Sequence, residues 1–205
     1  DVVVQSLHVV PGSEFHEASA LVSALGNVRG KFGFRNLVMG LPLLASGRDF
    51  DAVSESLVPE FEGVTIDGVV KHGLRDPYET AVVLMGHGTD HPADSAYSRM
   101  AKVLERDHKN IFLGTIDGFP GLEETLVDVK KAGVVKVRLI PFLVVAGGHV
   151  AKEMAGDDPD SWKSAFERAG FEVELHLRGM GENPRMVEIF MEHTKTAIER
   201  FRTGV

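Results

Sequence analysis

The amino-acid sequence predicts an α/β protein built from two similar, doubly wound, mainly parallel lobes, with the first lobe incomplete. Two observations carry that prediction. Strand-length apolar runs alternate with stretches of helical periodicity through the second half, the pattern of a parallel sheet covered by helices on both faces. Part of the same pattern then recurs in the first half.

In the second half, AVVLMG (81–86) reads as a buried strand bounded by glycine. Ala96, Met100, Val103 and Leu104 share one helical face after it. IFLGTI (111–116) is the next strand, and Leu122, Leu126 and Val129 recur at helical spacing before Gly133, a suitable stop. VVKVRLIPFLVVAGGH (134–149) reads as one long strand whose Pro141 predicts a bulge or a sheet edge. A helix presenting Trp162, Ala165, Phe166 and Ala169 follows, then the strand FEVELHL (171–177). Pro184 opens a final helix carrying Val187, Phe190, Met191, Thr194, Ile198 and Phe201.

The first half repeats two landmarks in the same order. LHVVPGSE (7–14) lies over FLVVAGGH (142–149) as a strand end, and LVMGLP (37–42) resembles LRGMGENP (177–184). The second half spends about sixty residues between its GHG and AGGH strand ends, for which the first half has no counterpart. The expected division is therefore a partial N-terminal lobe at 1–78 and a C-terminal lobe at 79–205, the last helix packing back on the first lobe. The chain is expected to be a fragment lacking roughly sixty residues at its N-terminus, with an uncovered sheet edge that predicts instability or homo-oligomerisation.

Composition excludes several classes of function. The 205 residues are 43% hydrophobic and 25% charged, ordinary for a folded soluble domain and wrong for disorder. No apolar run is long enough for a membrane span. Without cysteine, disulfides and thiolate metal sites are out, so a metal would need His, Asp, Glu or backbone oxygen. A net charge of −8 argues against nucleic acid as a partner. A cytoplasmic location is expected, with the periplasm left open.

Ligands of open parallel sheets bind outside the carboxyl ends of the strands. His87, Asp117 and His149 each follow a different strand there, and two imidazoles with one carboxylate suit a divalent metal. Gly86, Gly88, Gly118, Gly147 and Gly148 flank them and would let backbone approach a bulky ligand. Taken singly, each histidine reads as a surface or capping residue and Asp117 as a turn former; the joint placement is what points to a site. His8 and Glu14 would face the same crevice from the other lobe. His91 follows His87 across a non-helical turn, so its spacing carries little. Met154, Met180 and Met186 read as core or pocket wall, and His108, His176 and His193 as structural or exposed. There is no P-loop, no G-x-S-x-G elbow and no cysteine nucleophile.

MGHGTDHPADSAY, GTIDGFPG, PFLVVAGGHVAKEMAGDDPDSWK and GMGENP, with QSLHVVPGSEF in the first half, resemble the anaerobic sirohydrochlorin cobaltochelatases, the CbiK type of class II chelatase, over essentially the whole chain. The resemblance implies two α/β lobes with the active site between them. It also implies insertion of Co²⁺, as substrate metal and without nucleotide, into sirohydrochlorin or precorrin-2 in cobalamin biosynthesis. The family's metal site is two histidines and a glutamate. By motif the histidines fall on His87 and His149, which the resemblance makes both metal ligands and catalytic residues. The family's glutamate segment reads GTIDGFPG, so Asp117 stands one methylene short, a reach reduced by about 1.5 Å; it would bind through water or act as an acid–base group. Arg75, Lys152 and Arg178 are candidates to offset the substrate's carboxylates. Fe²⁺ or Ni²⁺ as the metal, a non-catalytic tetrapyrrole or metal carrier, and an unrelated metallohydrolase are the competing readings.

Overall fold

A computed structural model describes residues 1–61 and 80–203, with side chains as far as residue 200. The chain runs β1 (Val2–Gln5), α1 (Ser13–Gly26), β2 (Leu37–Gly40), α2 (Gly47–Leu57), β3 (Thr80–Gly86) and α3 (Ser95–Asp107). It continues through β4 (Ile111–Thr115), α4 (Leu122–Lys131), β5 (Lys136–Pro141), α5 (Trp162–Arg168), β6 (Glu172–Leu175) and α6 (Pro184–Thr203). Short 3-10 turns occupy Val58–Phe61, Pro92–Asp94 and Met180–Glu182, and a π-helical turn spans Val150–Met154. The fold is α/β with two parallel sheets: β1 beside β2, and a four-stranded sheet in the order β4-β3-β5-β6. No helix among the described residues is long and apolar enough to cross a membrane.

β3 is buried on both faces, as its unbroken apolar run requires. Ala81, Val83 and Met85 point to one side, where Val129 of α4, Met154, Trp162 and Phe166 cover them. Val82 and Leu84 point to the other, against Met100 and Leu104 of α3, Phe50, Val53 and Leu57 of α2, and Met186 and Phe190 of α6. Each fully buried large aliphatic or aromatic side chain contributes roughly 1.5–3 kcal/mol by leaving water. α2 begins where the Asp49 carboxylate accepts from the Ala45 and Ser46 amides at 3.0 and 2.6 Å, and Gly133 leaves α4 at φ 71°, the left-handed turn expected of a helix stop.

Three expectations need correction. Residues 7–10 are not a strand; β1 lies earlier, at Val2–Gln5, in register with Leu37–Gly40. The Ser6 hydroxyl accepts from the His8 amide at 3.2 Å, a local bond that competes with a ladder. The long strand over 134–149 is confined to Lys136–Pro141. The Phe142 amide donates once more to Met85 at 2.8 Å, and then the chain bends away. Pro141 marks neither bulge nor edge: β5 is internal, and its ladder with β6 stops at Leu139, before the missing N–H matters.

The repeat appears in the hydrogen bonds. The carbonyls of His8 and Val9 accept from Leu43 and Leu44 at 2.9 and 2.8 Å, as those of Leu143 and Val144 accept from Met180 and Gly181 at 2.8 and 2.9 Å. The unit β1-α1-β2-α2 therefore corresponds to β5-α5-β6-α6, with Leu43-Leu44, rather than Met39-Gly40, standing opposite Met180-Gly181. The proposed lobe boundary at 78–79 lies outside the described residues. α6 packs against β1, β2 and α2.

Candidate metal centre

The carboxyl edge of the four-stranded sheet positions the site. Beyond β3 and β4 the ladder continues for two more bonds: Ile116 N donates to Gly86 O at 3.1 Å and Asp117 N to His87 O at 2.8 Å. His87 and Asp117 thus enter their loops from locked backbone. Gly88, at φ 83°, is required twice over: its conformation suits glycine, and a Cβ there would lie 2.7 Å from the Asp117 carbonyl carbon and the Gly118 nitrogen. Asp94 joins the two loops, one oxygen accepting from Thr89 N at 3.2 Å and the other from Phe119 N at 2.8 Å.

Tyr97 lies beneath. A Cβ on Gly86 would sit 2.7 Å from the Tyr97 ring, so glycine lets the aromatic pack close against the strand end. Burial pushes the Tyr97 phenol up to about 12; the Gly88 amide, donating to its oxygen, pulls the other way, and the nearby Asp94 and Glu14 charges add to the rise. The phenol is neutral and braces the loop that carries His87.

His149 arrives by a longer route than expected. It stands at the head of the π-helical turn, whose Ala155 amide donates to Val150 O at 2.9 Å. Its ring meets that of His87 edge-on, centroids 4.6 Å apart and planes at 79°. Both rings are about half exposed. His87 Nδ1 lies 3.3 Å from Gly88 O and 3.9 Å from Asp117 Oδ2, and His149 Nδ1 lies 3.3 Å from Glu153 Oε2. The structure therefore brings His87, Asp117 and His149 to one place. Among the described residues, no three His, Asp or Glu side chains close into a group that could hold a metal as they stand.

Nothing lies within 4 Å of a Cβ built on Gly147 or Gly148, so the space beside them is open. Glu14, in the first turn of α1, approaches from the other half: a Cβ on Gly12 would lie 3.5 Å from its carboxylate and 3.4 Å from Thr89 Oγ1. His8 instead bonds Ser6 Oγ through Nδ1 at 2.9 Å and meets Phe15 edge-on. His91 caps the 3-10 turn at Pro92, its Nδ1 accepting from Ala93 N at 3.1 Å, and stacks near His16. His108, His176 and His193 pair with Ser54, Glu60 and Asp49; Met154, Met180 and Met186 are core. Of the basic candidates, Lys152 is exposed near Glu153, Arg178 pairs with Glu182, and Arg75 lies outside the described residues. A cavity of about 960 Å³ opens elsewhere, between α3 and α4 along β4, and its walls include none of His87, Asp117 and His149.

Glu153 was not anticipated from sequence. Its signal is the spacing in HVAKE, which sets a carboxylate four residues after His149, on the same face of a helical turn. Reading residues 134–149 as one strand hid that relation.

Comparison with known proteins identifies the family. The family model for cobalt chelatase (CbiK) matches residues 1–199. The chain is 37% identical over 197 residues to the sirohydrochlorin cobaltochelatase CbiKC of Nitratidesulfovibrio vulgaris, covering 96% of this chain and 65% of that protein. It is 31% identical over 198 residues to the sirohydrochlorin cobaltochelatase of Salmonella typhimurium, covering 97% and 69%. The chain thus spans about two thirds of the length of these relatives. Among solved structures, SirB from Bacillus subtilis with Fe³⁺ superposes with a TM-score of 0.61 at 18% identity, covering 98% of this chain and 72% of that one, a likeness of fold alone. With the GHG and AGGH histidines meeting at one sheet edge and the family match spanning nearly every residue, the chain belongs to the cobalt chelatase (CbiK) family.

Proposed function

We propose that this chain inserts Co²⁺ into sirohydrochlorin, or its precorrin-2 precursor, without a nucleotide, with His87 and His149 as the metal-facing pair. The observation that carries the reading is the meeting of two half-exposed imidazoles, one just beyond β3 and one at the head of the π-helical turn, with ring centroids 4.6 Å apart. Insertion replaces two pyrrole protons by the metal and strips the metal of water. Neutral imidazole serves as donor to the ion or as acceptor for a proton near neutral pH. Two imidazoles hold Co²⁺ while leaving positions for water and for macrocycle nitrogens, which suits an ion that must be released into the ring. Asp117, on the Nδ1 side of His87, would take a proton or a metal-bound water rather than complete a closed cage. Gly86, Gly88, Gly147, Gly148, His8 and Glu14 are the proposed wall for the macrocycle. The names of the two relatives, cobaltochelatases acting on sirohydrochlorin, support the substrate and the metal.

The test is anaerobic absorbance spectroscopy of the protein with sirohydrochlorin and Co²⁺, Fe²⁺ or Ni²⁺ in turn. Multiple turnovers with Co²⁺, faster than with the other ions, are expected. Stoichiometric binding without turnover would replace the enzyme by a carrier; faster turnover with Fe²⁺ or Ni²⁺ would replace the metal; no spectral change at all would overturn the reading.

A further inference from the structure

The two imidazoles are turned the same way. His87 Nδ1 faces the Gly88 carbonyl at 3.3 Å, an acceptor that requires a proton on Nδ1. His149 Nδ1 faces Glu153 Oε2 at 3.3 Å, another acceptor. Among the described residues, a hydrogen bond engages Nδ1 of His87, a carboxylate at ion-pair distance faces Nδ1 of His149, and no hydrogen bond engages Nε2 of either ring. A neutral imidazole carries its proton on one nitrogen and offers the lone pair of the other, so a fixed Nδ1–H means an Nε2 free to bind an ion.

Glu153 is built for this task. Its side chain is 28% exposed against 51% for the His149 it faces. Its two oxygens are divided, Oε2 toward His149 and Oε1 toward Lys152 Nζ at 3.8 Å. The π-helical turn holds residues 149 and 153 on one face while the chain turns away at Ala155. Asp117 stands in the corresponding relation to His87 at 3.9 Å, so each ring has one carboxylate on its Nδ1 side.

We propose that Glu153 is a positioning residue that takes the Nδ1–H of His149 and thereby presents Nε2 to the incoming metal. The proposal rests on the reading of His87 and His149 as the metal-facing pair. An outer carboxylate of this kind fixes the tautomer and raises the donor strength of the ring, and its loss typically weakens metal binding 10–100-fold.

Two measurements test it on the whole chain, with Glu153→Ala and Glu153→Gln beside the wild type. The first is long-range ¹H–¹⁵N correlation on the metal-free protein, with the His149 signals assigned by their loss in His149→Ala. Wild type and Glu153→Gln, whose amide oxygen still accepts, are expected in the Nδ1–H form, and Glu153→Ala shifted toward Nε2–H. The second is calorimetric titration with Co²⁺ alone, where affinity should fall about 10–100-fold in Glu153→Ala and less in Glu153→Gln. An Nε2–H tautomer in the wild type, or unchanged tautomer and affinity in Glu153→Ala, would overturn the proposal. Retained tautomer control and Co²⁺ binding in a protein that never turns over sirohydrochlorin would uphold it and sink the chelatase reading alone.

Discussion

The two sheets share one repeated unit, to which the larger adds β3 and β4, and they differ in how well they are covered. β1 alternates between exposed and partly buried residues, β2 is only partly buried until Gly40, and α1 beside them has no buried side chain. Leu21 is 66% exposed and Phe32 84%. β3, by contrast, is buried from Ala81 to Gly86, and α3 buries Tyr97, Met100 and Leu104. The terminal helices of the two units cross over: α2, which follows β2, supplies Phe50, Val53 and Leu57 to the core of the larger sheet, while α6, which follows β6, packs on β1 and β2. The lesson is where function can be placed. His87 and Asp117 leave the well-covered sheet from locked backbone, which can hold side chains to the tolerance the proposed metal chemistry needs; His149 joins them from the π-helical turn beyond β5, and the thinly covered half brings α1, with Glu14, toward them.

The comparison breaks most sharply at the histidines. His87→Ala and His149→Ala are expected to reduce cobalt insertion to the uncatalysed rate, while Tm stays within a few degrees, since half-exposed loop side chains carry little packing. An insertion assay beside a thermal melt checks this. Normal turnover would remove either residue from the mechanism, and global unfolding would make it structural.

Hydrogen exchange sharpens the same contrast. Amides of β3 and β5 should open only with global unfolding, and those of α1 through local fraying, a difference in protection of roughly a thousandfold or more. Uniform protection of α1 and β3 would show that the two halves open as one unit.

Much of the larger sheet was legible because its signals are local. AVVLMG could be read as a buried strand, Gly133 as a helix stop and Pro184 as a helix opening, and all three are found. The placement of His87 beside Asp117 was also legible, since it needs only the rule that parallel strands share a carboxyl edge; His149 reaches them instead through the loop and π-helical turn after β5. What stayed hidden depends on partners far away in sequence. Whether VVVQ or LHVV is the strand was decided by register against Leu37–Gly40, and the end of β5 by the competing bonds to Met180 and Gly181. Asp94, which ties the loops of His87 and Asp117 together, reads in sequence as a plain turn residue.

Asp94→Ala should accordingly loosen both loops without touching a reacting atom. A displacement of about 1 Å can cost up to a hundredfold in rate, so kcat/KM for cobalt insertion is expected to fall about 10–100-fold, mostly in kcat. Steady-state kinetics decide it, and an unchanged kcat would show that backbone pairing at Ile116 and Asp117 suffices.

The smallest expected effect tests how the halves are joined. His193 of α6 lies against Asp49 of α2, both side chains nearly buried, with Nε2 3.3 Å from Asp49 Oδ1 and Nδ1 3.2 Å from Leu41 O. Both ring nitrogens donate only when the imidazole is protonated. The bond to Asp49 raises the His193 pKa above 6.5, outweighing burial. For Asp49 burial is the largest influence and acts upward, but the bonds from His193 and Ser46 together hold it below 3.8. A raised base stabilises fully below its unfolded pKa and loses that contribution as pH climbs through the folded value; a lowered acid does so above its unfolded pKa and loses it as pH falls through the folded value. The pair is therefore worth most between about pH 4 and 6.5. His193→Gln should destabilise by about 1 kcal/mol at pH 6 and by visibly less at pH 9, read from urea melts of both proteins at each pH. A difference that stays constant from pH 6 to 9 would mean that His193 joins α6 to α2 by packing and not by charge.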